Sequence, residues 1–154
     1  MDIRMIEADP LAESMQLMVR EHLAEMAPTA PQESRHAMDA SALAGEGVTL
    51  FQVCSGDTVI GMGAFKDLGG QVAELKSMRV SPEFRGRGIG RRLLDELIIT
   101  PGQRGFSLLC LETGTHEYFT AARAMYGAAG FTQCPPFGDY QLDENSVYYR
   151  LELA

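Results

Sequence analysis

The segment spanning residues 72–92 constrains this chain more than any other. It reads Val72-Ala73-Glu74-Leu75-Lys76-Ser77-Met78-Arg79-Val80, then Ser81-Pro82-Glu83-Phe84, then Arg85-Gly86-Arg87-Gly88-Ile89-Gly90-Arg91-Arg92. This is the pattern of an apolar-rich strand, a turn, and a glycine-rich loop that opens a helix. Glycine lets backbone N–H groups turn toward an anion without Cβ obstruction. The helix that follows adds unpaired N–H groups and the positive end of its dipole at the same point. The segment therefore predicts a phosphate cradle. Five of the thirteen Lys and Arg residues (Arg79, Arg85, Arg87, Arg91, Arg92) lie between positions 79 and 92, in a chain of net charge −8. Basic charge this local predicts a compact anionic ligand.

A length of 154 residues with 45% hydrophobic content predicts one domain, residues 1–154, around a single core. The acidic balance argues against a nucleic-acid or anionic-membrane surface, which needs a broad basic face. It favours cationic or neutral substrates. Cys54, Cys110 and Cys134 are odd in number and widely spaced, which fits neither a disulfide framework nor a zinc site, so they read as reduced thiols and no metal is expected. The first nine residues are acidic and lack the apolar core of a signal peptide, and no run approaches the roughly 20 apolar residues of a membrane span. A cytoplasmic protein is expected.

Along the chain, residues 1–7 read as a strand ending at Asp9-Pro10, an N-cap and first-turn pair. Leu11, Met15, Met18, Val19, His22 and Met26 recur at helical spacing until Pro28. A weaker helix is expected over 32–44. Two β-rich runs, 48–53 and 58–65, flank the hairpin chemistry of Ser55-Gly56-Asp57, and Asp67-Leu68-Gly69-Gly70 reads as the turn into the 72–80 strand. Ile89, Leu93, Leu94, Leu97 and Ile98 mark a helix ended by Pro101-Gly102. Residues 106–111 form a continuous apolar run suited to a strand buried on both faces. A helix over 117–129 follows, with Tyr118, Ala122, Met125 and Ala129 on one face and Gly130 as its stop. Two strands remain, near 131–133 and 147–153.

The loop matches neither the dinucleotide pattern G-x-G-x-x-G nor a Walker loop, since no Lys-Ser/Thr pair follows. Arg85-Gly86-Arg87-Gly88-Ile89-Gly90 instead resembles the R/Q-x-x-G-x-G/A acetyl-CoA loop of the GNAT superfamily of N-acetyltransferases, and Arg123-Ala124-Met125-Tyr126-Gly127-Ala128-Ala129-Gly130-Phe131 resembles its Leu-Tyr-x-x-x-Gly-Phe segment. Leu75-Lys76-Ser77-Met78-Arg79, Leu111-Glu112-Thr113-Gly114 and Pro136-Phe137-Gly138-Asp139-Tyr140 are similar to a bacterial subfamily of small acetyltransferases.

The resemblance implies an α/β fold of six or seven strands in a mixed, largely antiparallel sheet, flanked by about four helices. The sheet would be splayed where coenzyme A enters, between the strands ending near Val80 and Leu111. It implies acetyl-CoA as cosubstrate, no metal, and direct transfer in a ternary complex to an amine of a small molecule or peptide. Arg85, Gly86, Arg87, Gly88, Ile89, Gly90 and Arg91 would hold the pyrophosphate. The backbone of Met78, Arg79 and Val80 would pair with the pantetheine arm and stabilise the oxyanion, often the largest effect in acyl transfer.

Glu74, six residues before Val80, shares its parity and so its expected strand face. There it serves either as general base or as a structural carboxylate paired with Lys76 or an arginine. Tyr126 corresponds to the family tyrosine that protonates the thiolate, and is placed at the edge of the apolar face of its helix. Phe119 stands where many relatives carry a cofactor-binding asparagine. His22, Glu112 and Tyr140, with Asp139, are expected around the acceptor, and His116 has no evident partner. A homodimer is compatible with the family. The alternatives are an acyltransferase using another acyl-CoA or a non-amine acceptor, and a CoA- or nucleotide-binding module without catalysis.

Overall fold

The computed structural model describes residues 2–36 and 38–153. Met1, Ala37 and Ala154 lie outside them, and with them one end of the expected first strand and one position of the expected 32–44 helix. The order is β1 (Ile3–Glu7), α1 (Glu13–Met26), α2 (Ala40–Leu43), β2 (Val48–Ser55), β3 (Thr58–Gly69), β4 (Val72–Val80), α3 (Ile89–Gln103), β5 (Leu108–Gly114), α4 (Thr120–Ala128), β6 (Thr132–Cys134) and β7 (Ser146–Glu152). The seven strands form one sheet in the order β1-β2-β3-β4-β5-β7-β6. Neighbouring strands run antiparallel except β4 and β5, which are parallel.

The sheet buries a layer on each face. On one, Leu93, Leu94 and Leu97 of α3, all fully buried, pack with Phe65, Ala73, Leu75, Leu109, Leu111 and Tyr126. On the other, Met15, Met18 and Val19 of α1 and Leu43 of α2 cover Leu50, Met62 and Ala64. A side chain of this size contributes about 1.5–3 kcal/mol when fully buried, so these two layers carry the fold. Close approach fixes one glycine: a Cβ on Gly63 would stand 2.6 Å from Leu97 Cδ1.

The element ends differ from the sequence expectation for local reasons. The Asp9 side chain accepts from the Leu11 N–H and its carbonyl from the Ala12 N–H. That separate turn delays α1 to Glu13 and leaves Leu11 exposed. The 32–44 helix is replaced by a 3-10 turn at Gln32–Ser34 and the single turn of α2, capped by Asp39. The turn after β3 falls on Gly70 and Gln71, both at positive φ, the geometry of a type I′ hairpin.

Pro101 does not end α3. It is buried in the last turn, and the helix stops at Gly105 (φ +92°), where Gly105 N–H bonds Gly102 C=O and Phe106 N–H bonds Pro101 C=O. That is a Schellman closure. The chain ahead of α4 forms a 3-10 turn, Glu117–Phe119, which exposes Tyr118 and buries Phe119 instead.

Two features of β4 set up the site. Its pairing with β5 covers only Val72–Leu75 against Leu108–Leu111, after which the two strands part. Against β3, Lys76 faces Ala64 and Arg79 faces Met62, so Ser77 and Met78 stand opposite the single residue Gly63. This is a β-bulge.

Candidate active site

The bulge corrects the expected facing of β4. Ala73 and Leu75 pack toward α3, and beyond the bulge Met78 and Val80 do the same. Arg79 instead reaches Met18, Glu21 and Glu25 of α1. Glu74 therefore shares its face with Lys76 and Arg79, opposite to Val80. The signal was present in the sequence: the apolar positions run 73, 75, then 78, 80, a parity slip of one residue.

The gap between β4 and β5 opens into a cleft of about 530 Å³. At one end lies the glycine-rich loop. Gly86 and Gly88 hold φ +78° and +76° with open space where a Cβ would be, so conformation rather than crowding demands glycine there. Gly88 caps α3, whose first bond into the helix is from Arg92 N–H to Gly88 C=O. No side chain caps this terminus, so the N–H groups of Ile89, Gly90 and Arg91 are left for an anion. The Ile89 side chain itself is buried in the core.

The basic residues divide. The Arg85 Nε donates to Val80 C=O at 2.8 Å, and its guanidinium pairs with Glu25. Arg87 lies over the Phe84 ring and Arg91 pairs with Asp95. The Arg79 guanidinium is buried between Glu21 and Glu25 on the α1 side. The Ser81 N–H pairs with Ile60 C=O of β3. By alternation, the Val80 N–H and C=O point toward the gap that β5 has left.

At the other end of the cleft, Glu74 is buried. Its Oε2 accepts from Tyr140 Oη at 2.5 Å and from Lys76 Nζ at 3.3 Å, and Lys76 Nζ also donates to Tyr140 Oη at 3.0 Å and to His36 C=O. His36 meets the Tyr140 ring edge-on. Glu112, one residue past the last β4–β5 pair, accepts from Ser146 Oγ at 2.8 Å. Burial raises its pKa, against the lowering effect of that bond. His22 also lines the cleft; burial first and Arg79 second lower its pKa to about 4, which keeps the ring neutral.

Tyr126 is not at the edge of the apolar face. It sits in the main core against Phe131 and Tyr149 while still lining the cleft. Burial, then the Glu112 charge, raises its pKa, so the phenol stays protonated.

The structure thus brings His22, Glu74, Glu112, Tyr126 and Tyr140 to one cleft with Met78–Val80, Arg85, Gly86 and Gly90. Arg87, Gly88, Ile89 and Arg91 are not among the residues lining it, nor is Asp139, which is exposed. His116, without an evident partner in sequence, caps the 3-10 turn by accepting from the Tyr118 N–H. Phe119 fills the space over Gly114, where a Cβ would stand 2.5 Å from its ring. Three residues at or beside the cleft carry no functional expectation from the sequence: Ser77 at the bulge and Tyr118 on the wall, and Glu25, which accepts from the Tyr118 hydroxyl. Glu25, three residues after His22 and seven after Met18, continues the inward stripe of α1, so helical spacing could have found it; Tyr118, expected on a helix face, lies in a 3-10 turn instead.

The site is thus a mixed sheet forked between two parallel strands, with an uncapped helix start at the fork and buried acid–base groups beyond it. The chain belongs to the acetyltransferase (GNAT) family, whose profile matches residues 15–131, and it is an acetyltransferase. It is 38% identical over 150 residues, covering 97% of this chain and 94% of the relative, to the uncharacterized N-acetyltransferase YedL of Escherichia coli. It is 33% identical over 154 residues, 99% of both chains, to the IAA acetyltransferase of Azospirillum brasilense. The fold is shared with an acyl-CoA N-acyltransferase structure from Klebsiella pneumoniae at TM-score 0.81, 24% identity, and 99% and 98% coverage. The reading as a binding module without catalysis gives way to these matches.

Proposed function

We propose that this protein transfers the acetyl group of acetyl-CoA directly to an amine of a small molecule or peptide, within a ternary complex, with residues 1–154 acting as one catalytic domain. One observation carries the reading: a single cleft joins the free N–H groups of α3 to the buried acid–base groups at the far side of the β4–β5 fork. The names of the relatives support acetyl transfer, and the acidic balance of the chain favours an amine.

The residues fit the cosubstrate. The uncapped α3 terminus and the Gly86–Gly90 loop suit a pyrophosphate, with Arg85 and Arg87 at hand for its charge. The Val80 N–H faces the gap where a pantetheine amide would pair. Acetyl-CoA supplies the activated thioester; everything else falls to the chain. Met78–Val80 offers backbone donors to the carbonyl oxygen. Glu74 takes a proton from the acceptor ammonium, through a water, from within its contacts with Lys76 and Tyr140, and the neutral amine so formed attacks. Tyr126, held protonated by burial, gives a proton to the departing sulfur. His22, Glu112 and Tyr140 shape the acceptor end.

Calorimetry with acetyl-CoA, followed by thiol release across a panel of alkyl, aryl and amino-acid amines, tests this. Micromolar binding and release that requires an amine are expected. No binding, or release indifferent to the amine, would sink the reading.

A further inference from the structure

Two irregularities of β4 fall on one residue. Ser77 holds φ +55°, in the left-handed region that a residue with a Cβ adopts at a cost. Its Oγ is out of contact with solvent and has no hydrogen-bond partner among the described residues. Buried hydroxyls are nearly always paired, and an exception calls for an explanation. Glycine at this position would remove both penalties, yet serine stands there.

Its location supplies the reason. The last β4–β5 pair is Leu75 with Leu111, so Ser77 lies two residues past the fork and lines the cleft. Behind it are Glu74 and Lys76 at the acceptor end; ahead is the Met78–Val80 backbone. A pantetheine arm laid along 78–80 toward the acceptor presents its reactive end at residue 77. A serine hydroxyl turns about one bond among three staggered wells, so an arriving oxygen can satisfy it while the backbone stays in place.

We propose that the Ser77 hydroxyl donates a hydrogen bond to the carbonyl oxygen of the bound acyl thioester, as a side-chain member of the oxyanion site. This rests on the acetyl-transfer reading above. The acceptor nitrogen forms its bond to the carbonyl carbon, charge gathers on the oxygen, and Ser77 meets it without giving up its proton. The carbon–sulfur bond then breaks, and the proton on sulfur comes from Tyr126.

The test is calorimetry of acetyl-CoA and of CoA with the wild type, Ser77→Gly and Ser77→Ala. The wild type is expected to prefer acetyl-CoA by roughly three- to tenfold, the equivalent of one net hydrogen bond. In both variants the ratio falls to about one while CoA affinity is unchanged. The infrared carbonyl band of bound 13C-labelled acetyl-CoA lies lower in the wild type than in Ser77→Gly. Glycine accepts the positive φ, so this variant decides the matter even where Ser77→Ala fails to fold. An unchanged ratio and an unmoved band in folded Ser77→Gly overturn the proposal and leave acetyl transfer standing. A wild type that binds neither ligand overturns both.

Discussion

Glu25→Gln removes the carboxylate of α1 that holds Arg79 of β4 together with Arg85 and Tyr118. The Arg79 guanidinium is almost wholly buried, and its Nε donates to Glu25 at 2.6 Å; Glu21, half exposed, stands 3.2 Å away. Removing one partner of a buried pair costs about 3–5 kcal/mol, whereas an exposed pair is worth roughly 0–1. The Glu25 side chain is 24% exposed and glutamine keeps a carbonyl acceptor, so the loss should be about 2–3 kcal/mol, or roughly 5–10 °C in a chain of this length.

The pH dependence has a definite sign. Burial alone would raise the Glu25 pKa, but bonds from Arg85, Arg79 and Tyr118 outweigh it and lower the value from 4.5. Its contribution is therefore full above the unfolded value and is lost as pH falls through the folded one. Thermal melts of wild type and Glu25→Gln between pH 7 and 3 should converge at the acid end. A variant that melts within a degree of wild type at pH 7, with the same acid slope, would refute the reasoning.

Three further outcomes follow from the geometry. Gly63→Ala drives a methyl into Leu97 Cδ1 and should lower stability by about 1–3 kcal/mol, read from the urea midpoint at constant slope. Tyr126→Phe should reduce kcat by about 10²-fold with CoA affinity retained, and the wild-type rate profile should show no tyrosine deprotonation below pH 10, because burial raises that pKa. His22 is neutral when folded, with its pKa at about 4 against 6.5 unfolded. Its stabilisation is thus complete above pH 6.5 and drains away toward pH 4, by up to roughly 3 kcal/mol. His22→Gln should flatten that part of the stability curve.

The fold and the glycine-rich end of the cleft were legible because their signals are local. The Gly86 and Gly88 conformations, the α3 stripe and the apolar run of β5 each announce themselves within a few residues. The Glu74 end was only partly legible. Glu74, Glu112 and Tyr140 come from three distant segments, and that Tyr140 and Lys76 converge on one oxygen of Glu74 is a tertiary fact with no sequence period. Tyr126 was misplaced because a helical wheel shows which side faces inward but not how deep the neighbouring Phe131 and Tyr149 place a ring. The facing of Glu74 relative to Val80 was misjudged because strict alternation was assumed through Ser77.

That extra residue makes β4 a strand with a spare link. Removing Ser77 would let Met78 take the place opposite Gly63, with Glu74, Lys76 and Arg79 still toward α1 and Met78 and Val80 still toward α3. Shortening by one at this point turns nothing over, whereas adding or removing a residue elsewhere in the strand would reverse the facing on one side of the change. The facing of the strand does not depend on Ser77, so the bulge is a point in β4 where one residue can be dropped without turning a face over.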